Sequence, residues 1–350
     1  MKAPVFKRLT SLLTASVISV ATLASCTSTQ SNQQAQTTSN GSASGQTCAP
    51  EIASIDFGII STESQQNQKP KFEPFIEAMS QTIGRPVNAF YATDYAAVIE
   101  AMGANKVQVA WYGGKSYITA AERSNAEAFA QTVNSDGTQG YYSHLITNKE
   151  NPIVSEIDLQ KGNGNEYIVE NAKDLTFAFN DPESTSGYLV PSYYVFAQKG
   201  VNAKEAFKQL IFAGSHEATA QAVANQQVDV ATNNSESLTA LKASDPKAFE
   251  QIQVIWTSPV IPSDPITYRK DLPDCLKGQI KDFFYSYKDT AVLEPLGWQA
   301  FVPAEDKTWN TIRELNIGKD ILEVQNDKNL TPQARQQKLD ELNQKLDALK

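Results

Sequence analysis

The sequence has few of the side chains that bind transition metals. Its 350 residues include only two histidines and three cysteines. It contains no HExxH motif, no CxxC pair and no group of cysteines and histidines with the spacing of metal ligands. A metalloenzyme is therefore not expected, and the sequence predicts no bound cofactor.

Clusters of positive charge are also missing. Lysine and arginine together number 30 against 39 aspartates and glutamates, so the formal net charge is −9 at pH 7. Proteins that bind nucleic acid recognise the phosphate backbone with clustered lysines and arginines. The chain is therefore not expected to bind nucleic acid. Its content of 41% hydrophobic residues is typical of a globular protein.

The N-terminal segment has the pattern of an export signal. Lys2, Lys7 and Arg8 precede an uncharged stretch, residues 9–24, that is short for a transmembrane helix and rich in serine and threonine. The stretch runs into Leu-Ala-Ser-Cys, which resembles the lipobox of bacterial lipoproteins and places the lipidated cysteine at Cys26.

We expect residues 1–25 to be a lipoprotein signal peptide, the alternative being an ordinary signal peptide cut nearby. Residues 26–47 follow, and after Cys26 they contain only Thr, Ser, Gln, Asn, Gly and Ala. A segment of this composition cannot build a core and predicts a flexible tether. The protein is therefore expected at the periplasmic or extracytoplasmic face of a membrane, held there by a lipid anchor.

From Cys48 onward, strand-like and helix-like segments alternate. This order is typical of βαβ units and predicts the α/β class with largely parallel sheets. The strand-like segments are residues 54–60, 107–112, 175–179 and 228–231, and the clearest helical segments are 96–102 and 218–224.

Four of the expected helices begin directly after a strand, at Thr62, Thr93, Ser184 and Ser215. Such turns lie at the carboxyl ends of strands, where open α/β sheets bind ligands. Helix N-termini offer free backbone N–H groups and a partial positive charge to anions. Together these turns predict a site for a tetrahedral oxyanion without arginine or lysine, and the hydroxyl-rich run 184–187 is its most specific part.

Five long segments of the sequence occur in the same order as in one known family. They resemble the periplasmic phosphonate-binding proteins of bacterial phosphonate ABC transporters, over roughly residues 52–300. The resemblance implies a two-lobed type II periplasmic binding-protein fold with a hinge, here followed by a C-terminal helical tail. The segments are residues 57–67, 107–113, 181–191, 222–234 and 261–266.

The resemblance also implies how the chain divides between the lobes. The chain would cross between them near Thr147 and near residues 258–262. Lobe 1 would then comprise residues 48–146 and 263–305, lobe 2 residues 147–262, and the helical tail residues 306–350.

Carried over by position, the family's ligand contacts suit a phosphonate with an amino group. Hydroxyl and imidazole donors match the acceptor oxygens of a phosphonate, and two carboxylates near a bound dianion require a cation between them. The phosphonate group would contact Tyr95, Ser184, Thr185 and His216, with Tyr141 close by, and the ammonium of 2-aminoethylphosphonate would meet Glu236 and Asp264.

The resemblance implies that the protein is the binding component of an importer and not an enzyme. Its partners would be an ABC permease and the ATPase of that permease. Two alternatives stay open. The ligand could be phosphate, phosphite or another alkylphosphonate, although unpaired Glu236 and Asp264 would disfavour these. An enzyme on the same scaffold would need a nucleophile beside a base, for which His216 and Ser184 are the candidate pair.

Several features lie outside the expected site. Cys48 and Cys275 could form a disulfide in an oxidising compartment or remain free thiols. His144 is expected to be structural, and residues 162–165, a Gly-Asn-Gly-Asn run, to lie on the surface.

The C-terminal tail has a stripe of leucines with helical spacing. These leucines could pack on the tail's own lobe or against a second copy, and we expect a homodimer. The stripe consists of Leu339, Leu342, Leu346 and Leu349.

Overall fold

The computed structural model describes residues 48–350. The expected signal peptide, Cys26 and the tether lie outside the described residues. Within the described part of the chain, no helix combines the length and the apolar character that crossing a membrane requires.

Thirteen strands are distributed along the described residues. In chain order they are β1 Ile55–Ile59, β2 Val87–Tyr91, β3 Val109–Trp111, β4 Ala126–Asn134, β5 Gly140–Tyr141, β6 Ser143–Asn148, β7 Thr176–Phe179, β8 Gln209–Phe212, β9 Val230–Asn234, β10 Ile252–Thr257, β11 Ile261–Pro262, β12 Pro265–Arg269 and β13 Trp298–Pro303.

Thirteen α-helices connect or follow the strands in the same part of the chain. They are α1 Gln65–Ile83, α2 Tyr95–Gly103, α3 Gly114–Arg123, α4 Ile153–Glu156, α5 Gly164–Asn171, α6 Ala203–Ala206, α7 His216–Ala224, α8 Ser235–Ser244, α9 Pro246–Glu250, α10 Asp274–Ser286, α11 Thr290–Leu293, α12 Asn310–Asn326 and α13 Pro332–Asp347.

The strands form two large sheets, each the centre of one lobe. Lobe 1 contains a six-stranded sheet of order β13-β4-β12-β3-β1-β2, and lobe 2 a five-stranded sheet of order β10-β6-β9-β7-β8. Aromatic rings fill both cores: Phe57 stacks on Phe284 in lobe 1, and Phe177 packs edge-on against Phe179 in lobe 2. The two-lobed architecture is the one expected from the sequence.

The expectation of largely parallel sheets is wrong, because both sheets are mixed. β1 pairs in parallel with β2 and β3, and β7 with β8 and β9. However, β12 runs antiparallel to β3, and β6 antiparallel to β9. β12 and β6 each enter their sheet directly after a crossing between the lobes. They start at the edge where the parallel strands end, and therefore run the other way.

The crossings form a two-stranded ribbon of their own. Tyr141 of β5 pairs with Ile261 of β11, and Gly140 pairs with Pro262. The expected crossing near Thr147 is misplaced, because Thr147 lies inside β6 and pairs with Val230 in the lobe 2 sheet. The change of sheet therefore precedes Ser143, whereas the return crossing coincides with the expected residues 258–262.

A single proline reshapes the helix that follows β7. Residues Thr185–Leu189 form a π-helical turn, in which Leu189 N–H donates to the Ser184 carbonyl oxygen at 3.1 Å. A second π-helical turn, Ser192–Phe196, follows Pro191. Because Pro191 has no N–H, it cannot donate to the Gly187 carbonyl in an α-helical bond or to the Ser186 carbonyl in a π-helical bond.

Both carbonyl groups find donors elsewhere in lobe 2. The Ser143 hydroxyl donates to the Ser186 carbonyl oxygen at 2.6 Å, and the Thr232 hydroxyl donates to that of Gly187 at 2.7 Å. Gly187 itself packs so closely on Asn180 that a Cβ would collide with it. Lobe 2 thus holds the widened helix in place from two neighbouring strands.

The helical tail packs on both lobes. Ile312 of α12 lies against Gly114 at the start of α3, and Gly318 lies against the ring of Tyr193 in lobe 2. The helix α13 then packs on α12 of the same chain. The four leucines of the stripe, of which Leu349 lies just beyond the end of α13, keep part of their surface exposed.

The two cysteines, His144 and the run 162–165 were also considered in the sequence analysis. Cys48 and Cys275 form a disulfide, which ties the start of the described chain to α10. His144 faces Thr257 on the neighbouring strand, at 3.0 Å between Nδ1 and Oγ1, as a structural residue would. The run 162–165 is not simply surface, because Gly164 is buried against the Ile255 carbonyl.

Candidate functional site

The seven expected ligand residues come from six separate segments of the chain. Six of them have at most 8% of their surface exposed, and Glu236 is partly exposed. Tyr95 begins α2, Tyr141 lies in the ribbon, Ser184 and Thr185 begin the π-helical turn, His216 begins α7, Glu236 lies in the first turn of α8, and Asp264 directly precedes β12.

Gly113 marks the point at which the two ends of the site approach each other. A Cβ built on Gly113 would lie 3.1 Å from Thr185 Oγ1 and 3.8 Å from Asp264 Oδ1. Tyr141 also lies near both carboxylates. Burial raises the pKa of Tyr141 well above the usual value, and the charges of Asp264 and Glu236 raise it further. The structure therefore brings the hydroxyl cluster and the carboxylates into one cavity.

The hydroxyls of Ser184 and Thr185 are arranged as donors. Ser184 Oγ accepts the Gly187 N–H at 3.0 Å and the Asn180 side-chain N–H at 3.2 Å. Thr185 Oγ1 accepts the Lys115 backbone N–H at 2.9 Å. Because protein donors occupy these oxygen atoms, the hydroxyl hydrogens remain to donate to another acceptor.

The hydrogen bonds around His216 determine which nitrogen carries its proton. Asn234 Oδ1 accepts the Ser237 N–H at 2.7 Å, which fixes the amide so that its Nδ2 faces His216 Nε2 at 3.2 Å. Nε2 must therefore accept, and the proton lies on Nδ1. Nδ1 is buried without a hydrogen-bond partner. Burial also lowers the pKa of His216 to about 3, so His216 is a neutral N–H donor.

Of the four helix starts predicted as anion sites, two have first-turn N–H groups that already donate to the opposite lobe. In α7, the N–H groups of His216 and Glu217 donate to the Thr62 carbonyl oxygen of lobe 1, at 3.1 and 3.3 Å. In α2, the Tyr95 N–H donates to Asp181 at 3.3 Å. The N–H groups of Thr185 and Ser186, in the first turn of their helix, have no helical partner.

The opposite end of the cavity is acidic. Burial and the charge of Asp264 raise the pKa of Glu236, and burial likewise raises the pKa of Asp264 despite the nearby Trp111 and Tyr141 donors. Trp111 Nε1 donates to Asp264 Oδ2 at 3.1 Å, while Oδ1 has no partner. Two acids in this environment attract a proton or a cation strongly.

No lysine or arginine of residues 48–350 forms an ion pair with either acid. Lys115, which lies beside Thr185, pairs instead with Glu183 at 2.8 Å. The cavity therefore offers neutral donors at one end and two uncompensated acids at the other.

The candidate catalytic pair of His216 and Ser184 does not match the geometry. The hydroxyl near His216 is that of Ser186, at 3.4 Å from Nε2. Because Nε2 already accepts from Asn234, it is poorly placed to take a proton from a nucleophile.

Sequence reasoning missed Trp111, Gly113, Asn180 and Asn234 as functional residues. Trp111 and Gly113 lie in the matched segment 107–113, and Asn180 and Asn234 are the polar residues that end or directly follow β7 and β9. A polar residue at the carboxyl end of a strand was the available signal. Its partners, however, are far away in the sequence.

Comparisons with known proteins identify the family of the chain. The family described as the periplasmic substrate-binding protein of the phosphonate ABC transporter matches residues 57–309. The chain is 48% identical over 299 residues to the phosphonates-binding periplasmic protein of Escherichia coli (strain K12), covering 84% of this chain and 85% of that protein.

A solved structure and a more distant relative extend the comparison. The crystal structure of a binding protein component of an ABC phosphonate transporter from Pseudomonas aeruginosa matches with a TM-score of 0.79 and 44% identity, covering 85% of this chain and 96% of that one. A phosphate-import protein of Mycolicibacterium smegmatis is 27% identical over 219 residues, covering 59% of this chain and 63% of that protein.

We predict that Glu236→Gln stabilises the ligand-free protein at pH 8 but not at pH 5. The raised pKa of Glu236 means that its ionisation costs folding free energy, so this contribution to stability is present at low pH and lost as the pH rises. The variant should exceed the wild type by at least about 2 °C in Tm at pH 8, the shift produced by about 1 kcal/mol.

The control is Glu250→Gln, which removes an exposed glutamate at the end of α9. Its Tm should follow that of the wild type at both pH values in differential scanning calorimetry. An equal Tm for Glu236→Gln and the wild type at pH 8 would contradict a costly buried charge at this position.

Proposed function

Because the chain belongs to the family of periplasmic substrate-binding proteins of phosphonate ABC transporters, we propose that its ligand is an aminophosphonate, with 2-aminoethylphosphonate as the best candidate. The chain is the binding component of such a transporter, not an enzyme, and works in the periplasm with the other transporter components. The identity of the ligand is the part that we propose.

The observation that carries the proposal is the pair of buried acids. Glu236 and Asp264 have raised pKa values and no cationic partner among residues 48–350. An ammonium group on the ligand supplies that partner. A ligand without a cation leaves both groups desolvated and unpaired, which costs on the order of several kcal/mol.

The other end of the cavity suits the phosphonate group. Ser184, Thr185 and His216 each keep a side-chain hydrogen to donate, because protein donors already bond to Ser184 Oγ, Thr185 Oγ1 and His216 Nε2. The hydroxyl of Tyr95 lies 3.5 Å from the Asn180 side-chain nitrogen beside Ser184. These neutral donors, with the N–H groups at the start of the π-helical turn, match three acceptor oxygens.

The second candidate is a carrier of phosphate, phosphite or a simple alkylphosphonate. The phosphate-import relative supports it, and the donors at the Ser184 end would serve any of these anions. The acidic end disfavours it, because these ligands carry no positive group.

Calorimetric titration with matched ligands tests the proposal. Ethylphosphonate has the carbon chain of 2-aminoethylphosphonate without the amine, and phosphate and phosphite complete the panel. We expect 2-aminoethylphosphonate to bind at least about 100-fold more tightly than ethylphosphonate. Leaving the two acids unpaired costs on the order of several kcal/mol, and about 1.4 kcal/mol changes Kd tenfold.

Two isosteric variants, Glu236→Gln and Asp264→Asn, provide the control. Each should reduce the preference for the amine while leaving ethylphosphonate binding equal or tighter. Tighter binding of phosphate or phosphite than of 2-aminoethylphosphonate by the wild type would leave the fold intact and overturn the role of the two acids.

We also propose that Cys26 carries a lipid anchor. The proposal depends on the lipobox-like tetrapeptide that ends at Cys26. Protein extracted from host membranes should show a diacylglycerol adduct at the new N-terminus by intact mass spectrometry, and Cys26→Ser should move it to the soluble fraction. An unmodified wild-type N-terminus would contradict the anchor.

The tail is proposed to join two copies of the chain. α13 packs on α12 with one side, and its leucines remain partly exposed. Deleting residues 331–350 should then convert a dimer into a monomer in light scattering. The same mass with and without these residues at every concentration would show that α13 is not the dimer contact.

A further inference from the structure

Two helices of opposite lobes meet with their N-termini at the edge of the cleft. α1 of lobe 1 begins after Ser64, and α7 of lobe 2 begins after Ser215. The two ends lie more than a hundred residues apart in the sequence and are in direct contact in the structure. Because the contact joins the two lobes outside the connecting ribbon, it depends on the lobes being close together.

The contact depends on the carboxylate of Glu217. Glu217 Oε2 accepts the Ser64 backbone N–H at 2.7 Å, and Oε1 accepts the Asn67 side-chain N–H at 2.9 Å. In the other direction, the N–H groups of His216 and Glu217 donate to the Thr62 carbonyl oxygen. Each helix N-terminus is thus satisfied by an acceptor from the opposite lobe.

α1 lacks a cap of its own. Its N-cap residue Ser64 makes no side-chain capping hydrogen bond, and its first turn contains no acidic residue. α7, in contrast, is capped locally by Ser215, which accepts the Ala218 N–H. Two helix N-termini that face each other also repel, and a carboxylate between them is attracted to both.

We infer that Glu217 determines ligand affinity without touching the ligand. The inference rests on the proposed function only in that the lobes separate to admit a ligand and close over it. When they separate, α1 loses the carboxylate that caps it. Glu217 loses its hydrogen bonds to α1 and is no longer held between two helix N-termini. Glu217 therefore contributes to the free energy of the closed state, and this contribution multiplies the affinity for every ligand by the same factor.

The direction in which the affinity changes when the charge is removed distinguishes this role from a direct electrostatic effect on the ligand. Glu217 follows the expected anion ligand His216, so its negative charge acting directly on a bound anion would weaken binding. Removing the charge would then strengthen binding. Loss of an interlobe cap has the opposite effect, because the closed state becomes less stable.

The test compares Glu217→Gln with the wild type in titrations and stopped-flow kinetics with 2-aminoethylphosphonate, ethylphosphonate and phosphate. We expect each Kd to rise about tenfold, by a similar factor for all ligands and mainly through faster dissociation. The matched control is Glu166→Gln, another glutamate in the first turn of a lobe 2 helix. Its Kd values should stay within about twofold of the wild type, the scatter expected for a surface change.

A second variant removes the other partner. The φ angle of Ser64 is −59°, which proline can adopt, so Ser64→Pro removes the N–H that Glu217 accepts. The double variant should lose little more affinity than the worse single variant, because both changes break the same contact. In small-angle scattering of ligand-free protein, Glu217→Gln should increase the radius of gyration.

Each result decides between the two proposals. Unchanged or tighter binding by Glu217→Gln, a factor that differs between ligands, or an unchanged radius of gyration would overturn the role of Glu217. A wild type that prefers phosphate, with the same tenfold loss in the variant, would overturn the aminophosphonate ligand and support the interlobe cap.

Discussion

Glu236 and Asp264 lie inside the protein where the ionisation of one disfavours that of the other, and the cavity is organised around this repulsion. Burial removes the water that would screen the two charges, so that a proton or a cation has to compensate them. Asp264 retains one oxygen without a partner. Trp111 holds the other oxygen of Asp264 in place, and the oxygen without a partner is buried.

The anion end follows a different principle, since its donors are neutral and fixed by the protein. Pro191 prevents regular α-helical hydrogen bonding after Ser184, and the displaced carbonyl groups are anchored by Ser143 and Thr232. The first turn of this helix is therefore held by lobe 2 before any ligand arrives. Preorganised donors of this kind lose little entropy on binding.

Local patterns of the sequence were sufficient to predict β1, β7 and most of α2 and α7, because the two strands are largely apolar and the two helices follow the capping residues Asp94 and Ser215. The directions of β6 and β12 could not be predicted in this way, since they depend on where the chain crosses between the lobes. Asn234 shows the same limit within the site. In the sequence it is a helix cap, and only the fold brings its other amide atom to His216.

The position of Tyr141 in the connecting ribbon has a consequence for the order in which the cleft opens. Rotation of one lobe about this ribbon displaces each atom in proportion to its distance from the axis. Tyr141 lies in the ribbon and should move little, whereas the contact between Glu217 and Ser64 lies outside the ribbon and should be displaced further. The interlobe hydrogen bonds outside the ribbon should therefore break early in the opening, before the surroundings of Tyr141 change.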